Sequence, residues 1–600
     1  MAKELKKRSE VEEQFTWNLK DLYVSDEAFY EAYNKAKRFP EELRKYQGKL
    51  GTSAVSLLEY YQLFDQVALE LDGLLNYAAR KKDEDTKNST YQSMYGSVMS
   101  LYVEISGAAS FEGPEIIKIP EETLTAFFED KEELKLYELD IQRKRKKIDH
   151  TLSEQEEKLL AEIGEIADSP SNIYGVFNNA DLVFPEIIDG NGNKVRLTHG
   201  NFIPFMENSN REVRKAAFEA LYSVYGQYKN TSAAILNAQI KQLQFFAKTR
   251  KYESSLHAAL DETEVPVEVY YNLIDAVNDN LNYMHRYVEL RKKLMNLDEL
   301  HMYDLYAPVV PDMDVEIPYD EAKATIVKAL EPLGEEYIDI LKNGFESRWV
   351  DIYENEGKRS GAYSAGAKVH PYVLMNYADT LDSEFTLAHE MGHALHSYLS
   401  NKNQPTIYAE YKIFVAEVAS TCNESLLMHY LLNNTTDKMQ RAYLINHFLE
   451  KFRGTLFRQT MFAEFELLIN RMVEEGVSLT ADVLCDAYHD LNVKYFGDDI
   501  VVDEQIDVEW ARIPHFYYNY YVYQYATGYS AAIALSNRIL TEGEPAVKEY
   551  LKFLSGGSSL DPIALLKIAG VDMSTATPIK EALKVFGELI DEMEQLLAEI

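Results

Sequence analysis

Cysteine is almost absent. Cys422 and Cys485 are the only two in 600 residues, too few for a disulfide framework, and neither stands at a metal-ligand spacing. A reducing compartment is therefore expected. No run reaches the roughly 18 consecutive apolar residues that a membrane span needs. The start, MAKELKKRSEVEEQFTWNLKDLY, carries basic residues with no apolar stretch behind them, so no signal peptide is expected. Positive charge is also short: 61 Lys and Arg stand against 98 Asp and Glu, a net charge of −37. That excess repels phosphate backbones and anionic lipid headgroups, so nucleic acid and membrane are not expected partners. A soluble cytoplasmic protein is the expectation.

What is present is the balance of a globular chain, 46 % hydrophobic and 26 % charged. Its length exceeds what one hydrophobic core serves, which predicts two lobes. Residues 10–180 show apolar residues at three- and four-residue spacing with little Pro or Gly, as in SLLEYYQLFDQVALELDGLLNYAA, and read as a helical N-terminal lobe over 1–180. The basic cluster Arg143–Lys147 reads as a helix face paired with neighbouring carboxylates. At 181–205 the texture changes. DLVFPEIIDGNGNKVRLTH places two β-type runs around turn residues, the pattern of a hairpin. Helices resume behind Ser209 or Asn210 as cap, and 206–600 reads as one mainly helical region, which holds the motifs that follow. Within it, 345–377 breaks the pattern with Gly361, Gly366 and Pro371 among β-branched and aromatic residues, which reads as short strands and loops. No internal repeat or low-complexity tract is visible.

Just beyond that break, TLAHEMGHALHSYLS contains HEMGH: His389, Glu390 and His393. A pattern this short arises by accident, so its context decides. Ser383 is a suitable cap and no breaker follows until Asn401 and Pro405, which places HEMGH inside a helix. Residues four apart share a helix face, so both imidazoles can reach one ion with Glu390 beside them. A catalytic zinc takes three protein ligands and one open position. The position ten residues after the first His is Leu399, which excludes a third His there. His396 lies on the same face and reads as a support behind a ligand histidine or as packing. The next helix, EYKIFVAEVASTCNESLLMHYLL, carries Glu410, Glu417 and Glu424 at seven-residue intervals among Ile413, Phe414, Val415 and Leu427. Carboxylates among such neighbours need a cation or a donor. Glu417 reads as the third ligand, and Glu424 as acceptor of the other ring N–H of a ligand histidine.

A third element, WARIPHFYYNYYVYQYATGYSAA, is dense in tyrosine. Most of these rings read as core. Hydrolysis of an amide, however, needs donors aimed at the developing oxyanion. His515, Tyr518 and Tyr525 fall on one helical stripe with Tyr521 at its flank.

Together HEMGHALH, AEVASTCNE, KRSGAYS with HPYVLMNY, IPHFYYNYYVYQYATG and SGGSSLDPIALLKIAGVDM resemble oligopeptidase F, a bacterial branch of the thimet oligopeptidase family of zinc metallopeptidases. The resemblance spans roughly residues 180–590. It implies a mainly α fold, a two-lobed helical bowl around a deep channel with a small β element near the active site. It implies cytosolic cleavage of short peptides, their length selected by access to the channel. Carried over, it gives one zinc ion per chain on His389, His393 and Glu417, Glu390 as general base and His515 on the oxyanion side. Tyr518, Tyr521 and Tyr525 compete for the family's tyrosine roles, and Gly361 and Ala362 would sit on the strand that pairs with substrate.

The expected function is therefore zinc-dependent hydrolysis of internal bonds in oligopeptides. Glu417 follows His389 by 28 residues (417 − 389), a spacing that also resembles helical dipeptidyl carboxypeptidases of the angiotensin-converting type. A non-catalytic peptide-binding protein is a third reading, with no sequence feature in its favour. Oligomeric state and bond preference are not encoded in any pattern seen here.

Overall fold

The computed structural model describes residues 5–311 and 316–598, so the outermost residues of the expected 1–180 and 206–600 regions and four near 314 lie outside the described residues. The fold is mainly α, with seven short strands among the described residues. No described helix is long and apolar enough to cross a membrane.

The chain forms two compact units that interleave in sequence. The first takes residues 1–149, 315–427 and 535–570; the second takes 150–314, 428–534 and 571–600. This differs from the contiguous division expected at 180 and 205. The composition shift there marks only a hairpin, Glu186–Ile188 against Lys194–Arg196, that lies inside the second unit. Its turn is set by Asp189, whose Oδ1 accepts the N–H groups of Asn191 and Asn193, and by Gly192 at φ +85°. Asn210 caps the helix Arg211–Gln227 that follows, accepting from the N–H of Glu212. The second unit is otherwise helical, and its buried Glu509 is satisfied by Arg458, Tyr222 and Tyr488.

In the first unit the helix Ala54–Glu84 is capped by Ser53 and packs against Ser89–Ala109. Its buried face (Leu57, Tyr60, Tyr61, Leu74, Ala78) joins Trp17, Phe29 and Phe39 in one core, which Tyr372 and Leu374 enter from a three-stranded sheet. In that sheet Tyr372–Leu374 is central, parallel to Val350–Asp351 and antiparallel to Tyr363–Ala365, with Ser364 opposite Val373. Tyr363–Ala365 is the antiparallel edge strand, fixed to the long helix by the Tyr363 hydroxyl, which donates to Asp83 at 2.8 Å. Residues 347–377 are thus strand and loop as the composition predicts, while Phe345 and Glu346 close the preceding helix Glu335–Glu346. The basic cluster is engaged within this unit: Arg143 donates to the Ser558 carbonyl in the SGGSSLDP loop, Lys144 pairs with Glu112, and Arg145 with Glu121.

The sheet is pinned by a buried ion cluster. Asp351 accepts from Arg8 at 2.9 Å and pairs with Lys358 at 2.7 Å, the Lys358 side chain being 0 % exposed. Removing one member of such a cluster strands a charge in a medium that solvates it poorly. Asp351→Ala is expected to destabilise the protein by about 3–5 kcal/mol, measured by urea denaturation.

Candidate metal centre

HEMGH lies in the helix Leu381–Asn403. Its cap is Thr380, not Ser383: the Thr380 hydroxyl accepts the Ser383 N–H, so the helix begins one turn earlier than the sequence suggests. Nearly every side of this helix is covered, with Leu387, Ala388, Met391, Ala394 and Leu395 fully buried. The second element is the helix Ile413–Asn434, whose residues up to 427 belong to the same unit. Glu417 and Glu424 lie two turns apart on it. Glu410 precedes the helix and does not share their face, a correction to the three-glutamate stripe.

The two helices touch at Gly392. A Cβ there would stand 2.5 Å from the Ser420 Cα and 2.8 Å from the Ala419 carbonyl, so only glycine permits the contact. Asn423 ties the same pair, donating to the Ala388 carbonyl at 3.2 Å while its Oδ1 accepts from the Tyr337 hydroxyl at 2.9 Å. Sequence reasoning missed Gly392, Asn423 and Tyr337. For Gly392 a signal existed, since glycine inside a helix loses about 0.5–1 kcal/mol against alanine and needs a packing reason.

Across this contact three donor atoms converge. The Nε2 atoms of His389 and His393 face each other 3.1 Å apart, and Glu417 Oε2 lies 3.3 Å from the first and 3.5 Å from the second. His389 Nδ1–H donates to Glu424 Oε1 at 2.6 Å, which turns its other nitrogen inward. The Ser420 hydroxyl donates to the Glu417 carboxylate at 3.3 Å. An ion holding nitrogen and oxygen at about 2.0–2.1 Å in a tetrahedron separates its ligands by about 3.3 Å. The donor set and its spacing therefore fit a divalent metal, and among the described residues no other group of His, Cys, Asp and Glu does so.

The electrostatics agree. Burial disfavours a charged His389, but hydrogen bonds to Glu417 and Glu424 and the nearby carboxylate charges outweigh it and hold its pKa at about 10. Burial likewise opposes ionisation of Glu417, yet hydrogen bonds to His389 and His393 keep it well below the usual carboxylate range. The cluster thus captures a proton wherever no metal takes its place. Glu390 is buried, its Oε2 has no hydrogen-bond partner among the described residues, and burial raises its pKa.

Other expected residues fall differently. His396 is buried and stacks on Tyr411 at 3.7 Å with Phe553 nearby, and burial pushes its pKa to about 3. Gly361 and Ala362 precede the edge strand, which starts at Tyr363. Gly361 has φ +81° and its carbonyl accepts from Asn376.

His515, Tyr518, Tyr521 and Tyr525 lie in the second unit. They do not share one helix. A short 3-10 turn, Pro514–Tyr517, ends at two left-handed residues, Asn519 (φ 53°) and Tyr520 (φ 56°), and the next helix begins at Tyr523. The turn nevertheless gathers the rings. His515 lies 5.5 Å from Tyr518, 6.3 Å from Tyr521 and 5.9 Å from Tyr525, centroid to centroid. Burial lowers the His515 pKa, which favours the neutral ring.

Since the donor spacing depends on the helix contact, Gly392→Ala is expected to leave a folded protein that binds its metal about 10- to 100-fold more weakly, measured by chelator competition.

The profile of peptidase family M3 matches residues 204–585, and that described as Oligopeptidase F matches residues 115–184. The chain is 53 % identical over 600 residues to Oligopeptidase PepF of Bacillus subtilis (strain 168), spanning 100 % of this chain and 90 % of that one. It is 40 % identical to Group B oligopeptidase PepB of Streptococcus agalactiae, over 98 % of each chain. Among solved structures, oligoendopeptidase-F from Enterococcus faecium superposes with a TM-score of 0.76 at 40 % identity, covering 96 % of this chain and 100 % of that one. The chain that carries this two-histidine, one-glutamate centre belongs to peptidase family M3, a family of metallopeptidases.

Proposed function

We propose that the protein is a zinc endopeptidase that hydrolyses internal bonds of short oligopeptides in the cytosol. The observation that carries this reading is the convergence of His389, His393 and Glu417 within hydrogen-bond distances of one another in a family M3 chain. The names of its relatives, oligopeptidases and oligoendopeptidases, support oligopeptides as substrates. Two imidazoles and one carboxylate suit zinc, although cobalt or manganese can bind the same donors.

His389, His393 and Glu417 would hold the ion, with Glu424 fixing the His389 ring through its Nδ1–H. When bound, the ion acts as a Lewis acid that acidifies water to a pKa of about 7 and polarises the scissile carbonyl. Glu390 takes the proton of the attacking water at its carboxylate and delivers it to the departing amine. His515, with Tyr525 beside it, donates hydrogen bonds to the tetrahedral oxyanion, and Tyr518 and Tyr521 hold the peptide. The edge strand Tyr363–Ala365, led by Gly361 and Ala362, offers backbone groups to an extended substrate.

Glu390→Gln is expected to keep its zinc, read by atomic absorption, and to lose at least about 1,000-fold in kcat. Retained turnover would remove Glu390 from the base role. His515→Ala is expected to lower kcat about 100- to 1,000-fold with zinc content unchanged. An oligopeptide with both termini blocked discriminates the modes of cleavage. Mass spectrometry should find internal cleavage that a chelator stops and zinc restores. Cleavage only after the C-terminus is freed, releasing dipeptides, would assign a dipeptidyl carboxypeptidase instead.

A further inference from the structure

Glu466 lies on the helix Arg458–Glu474 of the second unit and is 3 % exposed, yet no cation pairs with it among the described residues. Its Oε1 accepts the backbone N–H of Tyr520 at 2.6 Å, and its Oε2 has no hydrogen-bond partner among the described residues. Burial raises its pKa to about 8, so at neutral pH the acid is held mostly uncharged, which removes the penalty of a lone buried charge. A buried carboxyl with one hydrogen bond and no ion pair contributes little to stability for its desolvation, and that bond is where its use lies.

The amide it grips belongs to the second of two consecutive left-handed residues, Asn519 and Tyr520. Asparagine tolerates that conformation; a bulky aromatic residue adopts it only where the surroundings over-determine it. Three contacts do so. Glu466 fixes the Tyr520 amide. The Tyr520 hydroxyl lies 3.4 Å from the Ser255 hydroxyl, and its ring meets Tyr270 edge-on at 5.5 Å. The same helix grips the preceding turn, because Phe462 and Phe465, which share a face with Glu466, pack on Phe516 at 5.5 and 5.1 Å. One helix face thus seats residues 514–520, and the left-handed turn returns Tyr521 and Tyr525 to the His515 ring.

We propose that Glu466 is a positioning residue for His515: by holding the Tyr520 amide it sets the left-handed turn that places Tyr521 and Tyr525 against the imidazole. The effect on catalysis, though not on position, rests on the reading of His515 as an oxyanion donor.

Reach separates this role from charge or bulk. Glutamine at 466 keeps an acceptor at the same distance, whereas aspartate keeps the acid but falls one methylene short. The full-length zinc-loaded protein carries selectively ¹³C-labelled histidine, with the His515 signal assigned by its loss in His515→Ala. In Glu466→Gln the signal is expected to stay in place, with kcat within about threefold of the parent. In Glu466→Asp it is expected to shift, with kcat lowered at least about tenfold, KM within about threefold and zinc content unchanged. A signal unmoved in Glu466→Asp, or moved as far in Glu466→Gln, overturns the proposal. A shifted signal with unchanged kcat upholds the positioning role and removes His515 from the oxyanion role. Should Glu466→Asp not fold, Glu466→Met, which keeps the reach but offers the Tyr520 amide no oxygen, is expected to shift the signal as well. A signal unmoved in Glu466→Met overturns the proposal.

Discussion

Everything at the metal centre depends on how closely two helices can approach at Gly392. With no side chain at that position, the backbone of Ser420 lies where a Cβ would otherwise stand. The approach brings Glu417 across to His389 and His393, which the helix itself has already placed on one face. Asn423 and Tyr337 lock the same contact by hydrogen bonds that are fully buried, and such bonds define a single arrangement because the alternative is an unsatisfied polar group. The glycine thus determines the spacing of the donors, and the asparagine prevents it from drifting.

Charge completes what packing begins. Two carboxylates, Glu417 and Glu424, act on His389 from opposite nitrogens, one bonding the face that would meet the ion and the other the face turned away. Their combined effect is a strong demand for positive charge at one point, met by a proton or by a metal. Glu390 stands in the same helix under the opposite influence. Its Oε2 has no hydrogen-bond partner among the described residues, and burial raises its pKa against the opposing charges of His389 and His393. Two glutamates near the same histidine pair, Glu390 beside it in the motif and Glu417 on the next helix, thereby have their pKa values moved in opposite directions.

In the second unit, the tyrosine-rich segment shows a different solution to placement. Of its two consecutive left-handed residues the aromatic Tyr520 costs on the order of 1–2 kcal/mol, and the turn survives because Phe516 and Tyr520 pack on the surrounding helices and Gln239 donates to the Tyr517 carbonyl. Strain of this kind is retained where it positions something, and what it positions here is an imidazole with three phenol rings around it.

The sequence by itself determined what local periodicity encodes. The helical character, the hairpin at DGNGN, the strands after Trp349, the shared face of His389 and His393, and the seven-residue step from Glu417 to Glu424 all follow from spacings of two, three and four residues. It misplaced what depends on where an element starts: Thr380 rather than Ser383 begins the motif helix, Glu410 falls before the next one, and Gly361 and Ala362 stop short of their strand. Only the tertiary structure decided the rest. The division into interleaved units joins segments hundreds of residues apart, which no composition shift can report. The close contact at Gly392 depends on what lies opposite, and the break in the tyrosine stripe at Asn519 and Tyr520 depends on Glu466 more than fifty residues away. Residues on one helix constrain one another through a fixed geometry, so the chain announces them; residues that meet across space do so through packing that the chain alone does not record.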